Sequence, residues 1–97
     1  MPQANWSDFA WEDLKSIGRY IGEEQHRPST AAKVMREIAG HCDHLARVPH
    51  TGTARPDLDD NTRITSWKGW VIVVRPVEDG VDVLRIVDGS RDFTQLF

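Results

Sequence analysis

The chain has 97 residues, 39% hydrophobic and 28% charged, a balance that fits one globular domain over residues 1–97 and excludes a disordered or membrane-spanning chain. A net charge of −3 argues against direct binding to free nucleic acid, whose affinity comes mostly from neutralised phosphates. Residues Met1 to Asn5 lack the basic start and apolar stretch of a secretory leader, and a single cysteine permits no intrachain disulfide, so a cytoplasmic location is expected.

Gln3 to Trp6 carries a weak strand signal. Asp8 to about Gln25 predicts an amphipathic helix, with Phe9, Ala10, Leu14, Ile17, Tyr20 and Ile21 on one arc and Glu12, Lys15, Arg19 and Glu23 opposite. Ser7 or Asp8 is placed to cap it. Gly18 and Gly22 share a stripe with Trp11 at the edge of the apolar arc. Each glycine lowers helix propensity by about 1 kcal/mol relative to alanine. The stripe therefore reads either as close packing against a neighbour or as a groove for a partner. Pro28 breaks the chain, and a second helix from about Ser29 to Ala46 turns Ala31, Val34, Met35, Ile38, Cys42 and Leu45 inward, with Ser29 or Thr30 as its cap.

Val48 to Asn61 reads as a loop. Arg63 to Trp67, Trp70 to Val77 and Val81 to Val87 then form an antiparallel meander, joined at Lys68-Gly69 and at Glu78-Asp79-Gly80. The fold class is α+β: an N-terminal antiparallel helix hairpin packed on one face of a three- to four-stranded antiparallel sheet.

The chemistry-bearing residues point away from catalysis. In His41-Cys42-Asp43-His44, Cys42 belongs to the apolar helix face and His44 lies roughly 160° away by the helical period. The set cannot converge on one ion, so no metal is expected, and no cofactor motif is present. Asp57, Asp59 and Asp60 lack the spacing of a calcium loop. What remains is an aromatic and basic set around the sheet, with Arg55, Arg63, Trp67, Lys68, Trp70, Arg75, Arg85 and Arg91. These residues either cap a core and pair with nearby aspartates or form a binding surface, where Trp and Arg dominate.

Taken in order, three segments resemble the ParE branch of the ParE/RelE toxins. The first is Ala10-x-x-Asp13-Leu14-x-x-Ile17-x-x-Tyr20-Ile21, and the second is Val48-Pro49-x-x-Gly52-x-x-Arg55-Pro56-Asp57-Leu58. The strongest is the end, Trp70 through Val77 and then Val83 to Asp92. The resemblance spans about residues 6–97. It implies a RelE/ParE-like fold and the toxin of a type II toxin–antitoxin pair, joined in a hetero-oligomer with a ParD-like ribbon–helix–helix antitoxin.

ParE-like members are associated with inhibiting DNA gyrase, and RelE-like members with cutting mRNA on the ribosome. The RelE-like pattern places an arginine where Val71 stands, lysines near Thr62 and Ile64, and a terminal tyrosine where this chain has Leu96-Phe97. Only Arg91 of that set is retained. The expectation is therefore a toxin that binds gyrase and is not an enzyme. The alternatives are an mRNA endonuclease and a non-toxic binding module. Arg85, Gly89, Arg91, Asp92 and Phe97 are the candidate target-binding residues. Trp11, Gly18, Gly22, Arg63, Trp67 and Trp70 are the candidates for antitoxin binding.

Overall fold

The computed structural model describes residues 1–89. In chain order the elements are β1 (Gln3–Trp6), α1 (Asp8–Arg19), a π-helical turn (Tyr20–Glu24), α2 (Pro28–Arg47), β2 (Thr53–Ala54), β3 (Arg63–Trp67), β4 (Trp70–Val77) and β5 (Gly80–Asp88). The strands form one sheet in the order β1-β5-β4-β3-β2. The β3-β4-β5 meander is as expected, and Lys68 and Gly69, with φ of 51° and 86°, make the two-residue turn whose twist suits a hairpin. The sheet as a whole departs from the expectation: it has five strands and is mixed. β1 runs parallel to β5, and β2 adds two residues to the edge of β3. A parallel pairing between residues 3–6 and 80–83 carries no local turn signal, and a two-residue strand is too short to show a period.

Gly80 makes the parallel pairing feasible. It faces Gln3 across β1 and β5, and its φ is 133°. A Cβ there would overlap the Gln3 carbonyl oxygen. The glycine that closes the Glu78-Asp79 turn thus also lets β1 approach β5.

A β-bulge resets the phase of β5. Val74 pairs with Val83, but Val73 pairs with Arg85, so Leu84 is an extra residue on β5. Strict alternation would send Val81, Val83, Arg85 and Val87 to one face. Instead Val81, Val83 and Ile86 join Ile72 and Val74 in the main core beneath the helices, with Ala10, Leu14, Ile38, Cys42, Leu45 and Ala46. Val71, Val73 and Val87 form a smaller cluster with Ile64 and Leu84.

The helices also differ in detail from the expectation. Ser7 is the α1 cap, its hydroxyl accepting from the Ala10 N–H at 3.0 Å. The last turn of the first helix widens, with the Gln25 N–H donating to the Tyr20 carbonyl. α2 starts at Pro28, its N-cap is Arg27, and neither Ser29 nor Thr30 caps it. The buried arc of α1 is centred on Ala10, Leu14 and Gly18, not on the Phe9 side. Phe9 is 70% exposed and Tyr20 54%. Gly18 permits the rotation: a Cβ there would overlap Met35 Sδ of α2. The bare backbone at Gly18 lets α2 close in on that side, and the large aromatics at the opposite margin turn outward.

Gly80→Ala is expected to lower stability by about 2–3 kcal/mol, since this φ is almost confined to glycine. Urea denaturation would measure the loss, and the Gln3 amide, bonded to the Asp79 carbonyl, would lose hydrogen-exchange protection first.

Candidate partner-binding surfaces

The strand exit is built around a carboxylate. β1 leaves the edge of β5 after Trp6, and the Ser7 N–H donates to the Val83 carbonyl while the Ser7 hydroxyl donates to the Leu84 carbonyl, each at 3.0 Å. Six residues later Asp13 takes over. It accepts from Arg85 Nε at 2.8 Å, from Arg85 Nη2 at 2.9 Å and from the Ile86 N–H at 2.9 Å. Arg85 also lies 5.7 Å from the ring centre of Phe9. The hydrogen bond to Asp13 raises the Arg85 pKa above its ordinary value. Arg85, a candidate target-binding residue at the strand exit, is thus tied through both its Nε and Nη2 to α1. Gly89 follows β5, and its N–H donates to the Gly69 carbonyl at 2.9 Å. Arg91, Asp92 and Phe97 lie outside the described residues.

Gly18 and Gly22 line a shallow cleft of about 500 Å³ between the first helix and α2, with Lys15, Arg19, Glu23, Pro28, Ala31, Ala32 and Met35. Its floor is small and apolar. Of the three charged side chains on its lining, two are basic. Lys15 pairs with Glu12 at 2.7 Å, and Arg19 donates to the Ser16 hydroxyl. Trp11 shares the stripe but stands outside this lining. It is half exposed and meets Trp6 edge to face at 6.1 Å.

The remaining antitoxin candidates separate to opposite ends of β3. Trp67 and Trp70 face each other across the β3-β4 turn and pack on the main core. Trp67 stacks on His41 of α2 with ring centres 5.0 Å apart and planes 13° apart. Lys68 lies 5.0 Å from the Trp67 ring centre and pairs with Glu37 at 2.8 Å. The hydrogen bond from Lys68 lowers the Glu37 pKa. Arg63, at the start of β3, donates to the Gly52 carbonyl at 2.7 Å and so secures the preceding loop. That loop is braced further by Arg55 on Asp57 and by Arg75, which reaches both Asp59 and Asp82. Arg75 and Arg85 thus pair with aspartates, and Arg63 with a backbone carbonyl. Phe9, Tyr20, His41 and Glu37, none of them a candidate site residue in the sequence, lie at or beside these surfaces.

Cys42 is fully buried in the main core, and burial pushes its thiol up to about 12, which leaves it unreactive near neutral pH. Among the described residues no group of three or more His, Cys, Asp or Glu could hold a metal ion, and no helix is long and apolar enough to cross a membrane.

The geometry is that of a small α+β protein with a shallow cleft between its helices and an aromatic rim at the β3-β4 turn. Its sequence matches the family model for the ParE toxin of type II toxin–antitoxin systems over residues 4–93. The chain belongs to that family. Its fold is similar to a solved structure described as the chromosomal ParDE TA system from P. aeruginosa, with a TM-score of 0.71 at 23% identity, covering 91% of this chain and 96% of that one. A comparison with curated proteins finds no significant match.

Asp13→Ala is expected to cost about 2–3 kcal/mol, because it strands a partly buried guanidinium and the Ile86 N–H. Asp13→Ala combined with Arg85→Ala should cost at least about 1 kcal/mol less than the sum of the single changes. Equilibrium urea unfolding of the four proteins in this double-mutant cycle checks both numbers.

Proposed function

We propose that this ParE-family toxin is neutralised by a ParD-like antitoxin and inhibits DNA gyrase by binding, without catalysis. The observation that carries the partner half is the cleft between the helices. An apolar floor at Gly18, Gly22, Ala31 and Met35 beside Lys15 and Arg19 suits a disordered acidic and apolar segment that folds as it docks. The solved relative is itself described as a ParDE system, which supports an antitoxin of that kind.

The binding-only half is supported by what fills the positions where RelE-like nucleases carry basic residues. Val71 and Thr62 are buried and Ile64 is half buried. Val71 and Ile64 belong to the smaller apolar cluster, so neither offers a group that could activate a 2′-hydroxyl or stabilise a pentavalent phosphate. On this reading the target surface is the exit of β5, with Gly89, Arg91, Asp92 and Phe97. Arg85 supports it from behind through Asp13.

Gyrase supercoiling and translation-coupled mRNA cleavage, assayed side by side with the purified protein, discriminate the mechanisms. Supercoiling should be inhibited while mRNA stays intact; cut mRNA with untouched supercoiling would overturn the choice. Ala32→Glu, which places a like charge in the cleft, should weaken binding of an acidic, apolar antitoxin segment at least tenfold. Its melting temperature should stay within about 2 °C of the parent, as expected for an exposed site.

A further inference from the structure

The contact between α2 and the β3-β4 turn has a property that packing alone does not require. His41 Nε2 is buried and has no hydrogen-bond partner. Its ring is held flat against Trp67, while Lys68, the next residue, brings its ammonium to the same indole and reaches back to Glu37. Glu37 and His41 are four residues apart on α2, so they are neighbours on its surface. The turn is also fastened on its other side. The Gly69 carbonyl accepts the Gly89 N–H, and a Cβ at Gly89 would come within 2.9 Å of that oxygen. One two-residue turn thus links the middle of α2 to the end of β5.

We infer that the β3-β4 turn is a proton-operated latch: protonation of His41 frees Trp67 and Lys68 from α2 and loosens the hold of Gly69 on Gly89, the last residue before the segment 90–97. The imidazolium carries an N–H at both ring nitrogens, so its Nε2–H would be buried with no acceptor, against an indole that already carries the Lys68 cation. The groups facing it are Lys68 from the turn, and Glu37 and His44 from α2, with the His44 ring centre 5.9 Å away. Asp88 ends β5 opposite Trp70. Glu37 stays ionised in mild acid, because Lys68 holds its pKa down. A charged His41 sets a second cation beside the Lys68 ammonium at one indole, and their repulsion weakens the Lys68–Glu37 pair that ties the turn to α2.

The sign follows from the environment. Burial, and then the charge of His44, lower the His41 pKa in the folded protein below its ordinary 6.5. The unfolded chain takes up the proton first. Stability is complete above about pH 6.5 and falls as the pH drops towards the folded-state value. The latch is closed at neutral pH and opens in acid.

NMR titration of the intact protein from pH 7.5 to 5.0 tests this without any substitution. The His41 ring protons, the Trp67 indole, and the Lys68, Gly69 and Gly89 amides should shift with one shared midpoint below 6.5. Gly89 amide exchange, corrected for its intrinsic pH dependence, should lose at least tenfold protection across that midpoint. His41→Phe, which keeps the stacked ring, should abolish the shared transition, and His44→Gln should keep it with a raised midpoint. A Gly89 amide that stays unmoved while His41 titrates would overturn the proposal. So would a transition that survives in His41→Phe or disappears in His44→Gln. Circular dichroism at both ends of the titration separates opening of the turn from global unfolding, and global unfolding over this range would also overturn it.

Discussion

The arrangement depends on Asp13 completing the edge of a strand from a helix. β1 covers β5 only as far as Val83, and the bulge at Leu84 then twists the strand away from it. An uncovered Ile86 N–H at that point would need a partner, since a buried donor left unpaired costs about 1–3 kcal/mol. The Asp13 carboxylate meets this need and takes both forks of Arg85 as well. Charge-assisted bonds of this kind are roughly twice as strong as neutral ones. They set where along β5 the helix docks and how it is rolled about its axis. Once that roll is fixed, Gly18 faces α2, Phe9 faces solvent beside Arg85, and the glycine stripe opens into the cleft.

Much of this was legible in the sequence, where local rules govern. The meander followed from β-branched runs and two tight turns, and the helices from their 3.6-residue periods. Cys42 was legible as a core residue because its position on the helix outweighs the chemistry that His41 and His44 suggest. The failures share a cause. Size and apolarity point Phe9 and Tyr20 inward, yet the roll of α1 is fixed by Asp13 on β5, and the residue it turns against α2 is Gly18, which has no side chain. The parallel β1 and the Arg85 pairing join positions more than 70 residues apart, and the bulge shifts the register within the β4-β5 hairpin; no periodicity within any one segment encodes them.

The same long-range pairing redistributes the candidate sites. Read from sequence, Arg85, Gly89 and Arg91 form one charged edge. In the folded chain Arg85 is neutralised by α1, Gly89 is held by the turn, and Arg91 lies beyond the described residues. A proposed target surface at the strand exit therefore rests on residues after Gly89, with Arg85 as its support. Loss of Arg85 would then act on toxicity through the position and stability of β5. Loss of a residue that touches the target would leave folding intact.

The two proposed surfaces are joined by α2, and this bears on how neutralisation could work. The cleft uses Ala31, Ala32 and Met35 near the start of α2. Glu37 and His41, one to two turns further on, hold the β3-β4 turn, and through Gly69 they hold Gly89. A segment seated in the cleft need not cover the end of β5 to affect it. Any differential contact that favours one setting of the Glu37, Lys68 and Trp67 group would shift the other surface by the same free energy, because coupling between binding sites is reciprocal. A direct steric block would instead need the antitoxin to reach residues beyond Gly89. The two mechanisms differ in one respect: coupling through α2 weakens when His41 is charged, whereas a steric block does not depend on the state of that imidazole.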